Sequence, residues 1–303
     1  MNSVTAATMR PMKLIARFAA NLLTTTLATT LAMLPALAQP FSDTDVPFVI
    51  TPDKVTLEML KLADVGPNDN LLDLGSGDGR IVITAARRFG ARALGVEIVP
   101  DLVEKSRANA RAAGVSDRAE FRVQDLFKTD LTQASVITMY LLPEVNLQLR
   151  PALLALKPGT RLVSHDWDMG DWKPDRSVTV DAPDKPIGRE KSSSLYLWLV
   201  PAQVAGLWCG SGELRNFSME LTQSFQQFDG ALRRQVGRRQ QARAVSGHIA
   251  GPVLHAASST AASDAAAQLQ IELQGETLRV VGADGDLAEL LGMALRRPAD
   301  GRC

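Results

Sequence analysis

The sequence has few of the residues that build metal centres and disulfide frameworks. Among its 303 residues there are two cysteines, Cys209 and Cys303, and three histidines. Neither set has the spacing of a zinc site, so we expect no bound metal. The two cysteines could pair in an oxidising compartment, but Cys303 is the terminal residue, where chains are often frayed.

A surplus of charge of one sign is also missing. Basic and acidic residues number 33 each, which gives a formal net charge of +0. Because nucleic-acid-binding domains are usually basic, we expect no nucleic-acid partner. The arginine-rich stretch 233–243 indicates either a solvated strand face with its turn or a basic patch for an anionic lipid or polymer.

The first 38 residues contain no acidic residue. Lys13 and Arg17 precede an uncharged run over residues 18–34, which is followed by the small-x-small pattern Ala36-Leu37-Ala38. This layout predicts a signal peptide over residues 1–38 and export, in the first place to the periplasm. The alternative is an uncleaved N-terminal membrane anchor. Once the signal is removed, we expect no membrane-spanning segment.

Residues 46–201 alternate between strand and helix patterns. Strands are predicted at 70–74, 92–97, 119–123, 136–140 and 161–165, with helices between most of them and further strands near 177–181 and 194–200. Thr51 is predicted as the N-cap of the first helix. Such alternation predicts an α/β fold, a Rossmann-like doubly wound sheet that is mainly parallel.

Residues 202–297 follow a two-residue period instead. Phe217, Met219 and Leu221, for example, alternate with polar residues. The pattern predicts a small antiparallel β barrel or sandwich. The alanine- and serine-rich stretch 256–267 is predicted to be a flexible loop. Glycines are predicted to mark the turns, at Gly230, Gly247, Gly251, Gly275, Gly282 and Gly285.

A glycine-rich loop, Asp73-Leu-Gly-Ser-Gly-Asp-Gly79, lies between the first predicted strand and its helix. Ligands bind there in parallel sheets, and glycine lets the backbone approach them closely. The spacing G-x-G-x-G differs from the G-x-G-x-x-G of dinucleotide enzymes. Its acidic residues suit a cation better than a pyrophosphate, which favours S-adenosylmethionine (SAM). The candidate binding residues are Asp73, Gly75, Ser76, Gly77 and Gly79.

Two further acidic residues follow the next strands. Glu97 ends the second strand, where a carboxylate can accept the ribose hydroxyls. Asp125 follows the third strand, where it could receive the adenine amino group while Leu126 packs against the ring. Together with the loop, they predict a complete SAM site.

These residues resemble the class I SAM-dependent methyltransferases. More specifically, Val46-Pro-Phe-Val-Ile-Thr-Pro52 and Asp73–Val82 are similar to the small protein-lysine methyltransferases of the ATP synthase c subunit and the adenine nucleotide carriers. The resemblance covers about residues 46–175. It implies SAM as methyl donor and a protein lysine as possible acceptor. It also implies that Pro47, Phe48, Thr51 and Pro52 help close the site.

The chain departs from that family in its export signal and its β-rich second domain. SAM is a cytoplasmic metabolite, so an exported enzyme needs a supply of SAM outside the membrane. The alternative hypothesis is therefore a non-catalytic exported binding module that keeps the methyltransferase fold.

On the acceptor side, the sequence offers Tyr140 after the fourth strand and His165-Asp166 at the end of the fifth. Tyr140 could contact the acceptor or be a core aromatic residue. His165 could be a general base, although a structural role is commoner, and Asp166 could assist deprotonation of a lysine. Trp167 and Trp172 could cover the acceptor, but we favour a sealing role for both. The segment 138–144 lacks the motif of amino-group nucleic-acid methylases.

Overall fold

The computed structural model describes residues 48–260 and 263–303. The predicted signal peptide, residues 1–38, and Pro47 lie outside the described residues, so both expectations stay predictions. No helix within the two described ranges is long and apolar enough to cross a membrane.

A seven-stranded sheet forms the first part, in the order β3-β2-β1-β4-β5-β7-β6. The strands β1 to β5 are parallel, and β7 runs antiparallel to both β5 and β6. This confirms the predicted Rossmann-like α/β fold. The elements are α1 Asp53–Leu62, β1 Asn70–Leu74, α2 Arg80–Phe89, β2 Arg92–Glu97, α3 Pro100–Ala113, β3 Ala119–Val123, β4 Val136–Met139, α4 Pro143–Leu154, β5 Arg161–His165, β6 Arg176–Asp181 and β7 Ser192–Leu199.

The central strands of this sheet are almost wholly apolar because helices cover both of its faces. In β1, Leu71, Leu72 and Leu74 are buried. The helices α2 and α3 end at Gly90 and Gly114, as predicted, and the structure places both glycines in the left-handed conformation. One local prediction is wrong: Pro52, not Thr51, is the N-cap of α1, and no side chain caps that end. The Thr51 hydroxyl lies near His165 instead.

The second part is a closed antiparallel barrel of eight strands. Closure decides between the predicted barrel and sandwich. Its interior holds alternate residues that the two-residue period predicted, including Phe217, Met219 and Leu221. The strands are β8 Gly206–Gly210, β9 Phe217–Ser224, β10 Gln227–Val236, β11 Arg239–Ala250, β12 Val253–Thr260, β13 Ser263–Gln274, β14 Thr277–Ala283 and β15 Ala294–Arg296.

Two predictions within the barrel are wrong. Residues 256–267 belong largely to β12 and β13 and do not form a long loop. Gly230, Gly247 and Gly282 lie inside strands and not at turns. The reason is close strand packing: a Cβ at Gly247 would lie 1.9 Å from the carbonyl oxygen of His255. The arginine-rich stretch 233–243 forms the β10–β11 hairpin.

The barrel packs against the α/β part through two of its turns. Phe225, between β9 and β10, stacks on the buried Trp172 with ring centroids 6.1 Å apart. The neighbouring Gln226 donates a 2.6 Å hydrogen bond to the Lys173 carbonyl. At the other turn, between β11 and β12, Gly251 packs closely on Gly159 of the α/β part, since a Cβ at Gly251 would lie 3.0 Å from the Gly159 Cα. Trp172 therefore seals the contact between the two parts, as we favoured.

Cys209, in β8, and Cys303, the last residue, form a disulfide with a Cα–Cα distance of 5.4 Å. The pairing that the sequence left open is therefore present.

Candidate active site

The glycine-rich loop leaves the carboxyl end of β1, and its conformation requires glycine. Gly75, Gly77 and Gly79 all have positive φ, at 75°, 53° and 81°. A Cβ at Gly77 would lie 2.2 Å from the Phe48 ring, and one at Gly79 would lie 2.7 Å from the Phe121 ring. The loop therefore excludes side chains at these positions for both conformational and steric reasons.

Hydrogen bonds hold the loop against the neighbouring strand and helix. The N–H groups of Gly75 and Ser76 both donate to the Val96 carbonyl, at 2.9 and 3.0 Å. The buried Ser106 hydroxyl of α3 donates to the Gly77 carbonyl at 2.8 Å. The loop conformation is thus held by hydrogen bonds from the protein itself, which reduces the entropy lost on binding.

Glu97 ends β2 beside the loop, as predicted. Its Oε2 accepts the Gly77 N–H at 3.0 Å, and its Oε1 accepts the N–H groups of Ile98 and Val99 at 2.8 and 3.1 Å. A carboxylate has about four acceptor positions. Three are occupied by backbone groups of the described residues, which leaves one on Oε2 for a ribose hydroxyl.

Asp73 is buried at the base of the loop. Burial, together with the nearby Glu97 and Asp78, raises the pKa of Asp73 to about 7, although its hydrogen bond from Thr138 lowers it. The Thr138 hydroxyl donates to Asp73 Oδ1 at 2.7 Å. A cationic group next to this carboxyl would favour its charged form, so the site is suited to a ligand with an ammonium group.

Asp78 serves the loop differently, because Arg80 is bound to it. Arg80 donates to both carboxylate oxygens of Asp78, at 3.0 and 2.7 Å. Burial raises the pKa of Asp78, but the hydrogen bonds and charge of Arg80 outweigh it, and the pKa is lowered overall. Arg80 also donates to the Thr51 carbonyl at 2.7 Å, which ties the N-terminal segment to the loop.

Asp125 and Leu126 lie past the end of β3. Asp125 accepts the Phe127 N–H at 2.9 Å and caps the short 3-10 helix Leu126–Lys128. Its second oxygen contacts the exposed Lys128 at 3.2 Å. Leu126 is only partly buried and packs at the edge of the core. Both are placed at the carboxyl edge of the sheet, one strand beyond Glu97.

These groups fit SAM. The backbone at the three loop glycines can lie against the methionine part of the ligand. The buried carboxyl of Asp73 suits the ammonium group of that part. Glu97 keeps one acceptor position for the ribose, and Asp125 and Leu126 lie where the adenine would end.

The segment Phe48–Pro52 connects the loop with the other half of the site. Phe48 covers Gly77, and the Thr51 carbonyl binds Arg80. The Thr51 hydroxyl lies 3.4 Å from His165 Nδ1 at the end of β5. Phe48 and Thr51 therefore occupy the closing position that the resemblance implied.

Asp166 is the centre of a polar cluster at the end of β5. It has φ of 62°, which is unusual for a residue other than glycine. Two hydrogen bonds with Ser194 hold it there: Asp166 N–H donates to the Ser194 carbonyl at 2.7 Å, and Ser194 N–H donates to Asp166 Oδ1 at 3.1 Å. Strain of this kind is concentrated at functional sites.

The other carboxylate oxygen of Asp166 contacts Tyr140, the residue that the sequence places near the methyl acceptor. The Tyr140 hydroxyl donates to Asp166 Oδ2 at 3.3 Å. Burial, together with the Asp166 carboxylate, raises the pKa of Tyr140 to about 12, so the phenol stays protonated at neutral pH. Trp167, the next residue, is 44% exposed and thus does not seal the domain as we expected.

His165 has no free ring nitrogen for an acceptor. It is fully buried, with Thr51 Oγ1 near Nδ1 and Ser193 Oγ 2.8 Å from Nε2. Burial lowers the pKa of His165 to about 4; Asp166 opposes this and Lys185 adds to it. The neutral ring also packs on Tyr140, with centroids 3.9 Å apart. The geometry therefore favours the structural role over that of a general base.

Sequence reasoning missed three residues of this half. Lys185, between β6 and β7, places its Nζ 2.8 Å from Asp166 Oδ2. The Ser193 hydroxyl forms a hydrogen bond with His165 Nε2. Asn146, in α4, donates to the Trp167 and Asp168 carbonyls and so supports the turn that presents Asp166. Lys185 and Ser193 reach the acceptor half because β6 and β7 pair at this end of the sheet. No sequence motif predicts that pairing.

Comparison with known proteins finds methyltransferases. Residues 73–176 match the family model described as the ANTKMT methyltransferase domain. A protein-lysine N-methyltransferase of Saccharolobus islandicus is 44% identical over 138 residues, which cover 45% of this chain and 86% of that protein. The human lysine N-methyltransferase of the ATP synthase c subunit is 35% identical over 183 residues, covering 56% of this chain and 78% of that protein.

A solved structure is also similar. It is that of an RNA methyltransferase from Salinibacter ruber in complex with S-adenosyl-L-homocysteine, with 54% sequence identity and a TM-score of 0.47. The match covers 52% of this chain and 96% of that one.

Proposed function

We propose that this chain, which belongs to the ANTKMT-type family of protein-lysine N-methyltransferases and uses S-adenosylmethionine as its methyl donor, methylates the ε-amine of a lysine in a protein substrate. One observation carries the choice of acceptor. The carboxylate of Asp166, partly exposed and hydrogen-bonded to Tyr140, lies just past the carboxyl end of β5, two strands from β1, whose carboxyl end carries the glycine-rich loop. A carboxylate there can receive the proton that an alkylammonium must lose.

On the donor side, the residues of the loop bind and orient the cofactor. When bound, SAM supplies an electrophilic methyl group on its sulfonium. Asp73 balances the charge of the ligand's ammonium group, and Glu97 offers one position to its ribose. Phe48 covers the loop, which excludes water from the space above Gly77. Positioning of this kind accounts for much of the catalysis of an in-line displacement.

On the acceptor side, each group has a distinct task. Asp166 attracts the lysine ammonium and takes its proton. The phenol of Tyr140 donates to Asp166, which leaves its oxygen free to accept an amine N–H. His165 stays neutral and holds Thr51, Tyr140 and Ser193 in place. The acceptor nitrogen then faces the donor site with its lone pair unprotonated.

Export is part of the proposal. The signal-peptide pattern of residues 1–38 supports it, and the disulfide between Cys209 and Cys303 is typical of oxidising compartments such as the periplasm. We expect a periplasmic fraction to contain a chain that begins at Gln39, which mass spectrometry measures. An intact chain in the membrane fraction would point to the anchor instead. The matches to methyltransferases give no support to the alternative of a non-catalytic binding module.

The decisive experiment is titration of SAM into purified residues 39–303 by calorimetry, followed by a transfer assay with radiolabelled SAM. We expect a dissociation constant of about micromolar order. We also expect binding to be lost in Glu97→Ala and kept in the control Glu104→Ala, an exposed residue of α3. Label should appear on lysines of envelope proteins and not on RNA. Transfer to RNA alone, or no binding at millimolar SAM, would refute the proposal.

A further inference from the structure

We propose that Lys185 is an internal occupant of the acceptor site, and that a substrate lysine must displace its ammonium group before methyl transfer. This inference rests on the proposed function. The position that Lys185 Nζ fills, between Asp166 Oδ2 and the Ser192 carbonyl, is called the amine subsite below.

The amine subsite has the geometry of an ammonium site. Lys185 Nζ lies 2.8 Å from Asp166 Oδ2 and donates to the Ser192 carbonyl at 2.7 Å. The Lys185 side chain is only 12% exposed, and that of Asp166 16%. Tyr140 donates to the same carboxylate oxygen. One carboxylate and one carbonyl oxygen therefore surround a largely desolvated primary ammonium group.

The chain around Lys185 is not packed into the protein. Between the buried residues Ala182 and Ser193, the loop is exposed except at Lys185 and Ser192. Ile187 on this loop is 54% exposed. Lys185 is thus the side chain through which the tip of the β6–β7 hairpin reaches the site. A loop with so few buried contacts can move at low cost.

Stability alone gives a weak reason for this ion pair. A largely buried pair gains little over apolar packing, because both charges lose their hydration. Asp166 is moreover held in a left-handed conformation that costs energy by itself. The cost of desolvating the ion pair and the cost of the left-handed backbone thus both fall on Asp166, the residue proposed to meet the acceptor lysine.

The chemistry of the exchange is balanced. Lys185 and a substrate lysine carry the same primary alkylammonium, so an entering lysine replaces one cation by another. Asp166 is never left as an unpaired buried charge, which would be costly. Lys185 therefore keeps the amine subsite formed and closed to other ligands until a lysine side chain enters.

The test uses Nα-acetyl-L-lysine amide as the probe, titrated into protein saturated with S-adenosylhomocysteine. We expect Lys185→Met to bind this probe at least about tenfold more tightly than the wild type, since no internal ammonium competes. Lys185→Arg, which keeps the cation, should bind as weakly as the wild type. Lys191→Met removes an equal charge from the same loop and should change nothing, because among the described residues the Lys191 ammonium donates to the Lys185 carbonyl and not to Asp166. Equal affinities of Lys185→Met and the wild type would overturn the inference.

A second measurement on the wild type is independent of the folding of any variant. Lys185 should be acetylated by acetic anhydride much more slowly than Lys191. Saturation with S-adenosylhomocysteine and Nα-acetyl-Nε-trimethyllysine amide, which has no reactive amine, should make Lys185 as reactive as Lys191. Unchanged protection of Lys185 would overturn the inference. Failure to bind S-adenosylhomocysteine at all would instead refute the proposed function.

Discussion

The two halves of the site are built in different ways. The donor half centres on one contiguous loop, residues 73–79, whose three glycines have positive φ and whose polar contacts are mostly backbone groups. The acceptor half is assembled from side chains of separate segments: Thr51, Tyr140, Asp166, Lys185 and Ser193. A site that depends on backbone conformation leaves a compact pattern in the sequence, whereas one assembled by strand order leaves scattered single residues.

The difference also predicts how each half fails. A side chain at any of the three loop glycines meets both an unfavourable φ and a steric clash, so loss of binding should be nearly complete. In the acceptor half, each contact is a charge or a hydrogen bond, so loss should be graded and should leave donor binding intact.

The largest effect is expected for Gly77→Arg. The new side chain would clash with the Phe48 ring, and the arginine backbone would have to adopt a positive φ that favours glycine. We expect SAM affinity to fall by at least about 100-fold, equivalent to ~2.7 kcal/mol, in calorimetry. The fold should persist because Phe48 is partly exposed and can move away. Gly66→Ala is the matched control, since a Cβ there meets nothing within 4 Å. Unchanged affinity in Gly77→Arg would remove the loop from the donor site.

An intermediate effect is expected for Asp166→Asn. Without the carboxylate, the acceptor ammonium loses its proton acceptor, and kcat should fall by about 100-fold. SAM affinity should stay within about twofold, which separates the acceptor half from the donor half. Asp168→Asn is the control, because within the described part of the chain its carboxylate accepts the Gly170 N–H at the exposed turn and no other hydrogen bond. Loss of SAM binding in Asp166→Asn would show that the two halves are not separable.

The smallest effect concerns pH. The Asp73 carboxyl, with a pKa of about 7, binds a cationic ligand only when ionised. SAM affinity should therefore rise by about tenfold between pH 6 and pH 8, and Asp73→Asn should abolish this rise. Thr138→Val should move the transition to higher pH, because the Thr138 hydrogen bond lowers the pKa of Asp73. Affinity independent of pH in the wild type would contradict the role of Asp73.

The same carboxyl affects the stability of the unliganded protein with the opposite sign. Its pKa in the folded state lies above the ordinary 3.8, so the folded state binds more protons than the unfolded state between pH 3.8 and about 7. The free energy of unfolding contributed by Asp73 therefore falls as pH rises through this window. A bound cation offsets that loss.

Sequence reasoning predicted the position of the glycine-rich loop and most of the α/β sheet because both depend on local patterns. Gly75, Gly77 and Glu97 lie where the strand register placed them. It did not recover Lys185, since β6 and β7 return antiparallel at the edge of the sheet and no spacing along the chain reveals that return. His165 was found, but its full burial depends on packing against Tyr140 and Ser193 from distant segments.

In the barrel, by contrast, the local pattern was clear but individual residues were assigned wrongly. Its two-residue period was clear, yet Gly230 and Gly247 were assigned to turns although they lie in strands. Glycine has two uses in β structure, to permit a turn and to permit close approach of a neighbouring strand, and a single sequence does not separate them. The alanine- and serine-rich stretch was misassigned for a related reason, because small residues suit the tight interior of a barrel as well as a loop.

The closing seam of the barrel gives the disulfide a further meaning. The last strand, β15, meets the first, β8, through only two residue pairs, Leu295 with Gly210 and Arg296 with Cys209. The disulfide joins Cys209 to the residue that ends the chain, just beyond this seam. Where thiols are kept reduced, the barrel could part along this line and offer two unpaired strand edges to other chains. We therefore expect the disulfide to protect the barrel against opening along this seam, and we expect that protection to be lost where thiols are reduced.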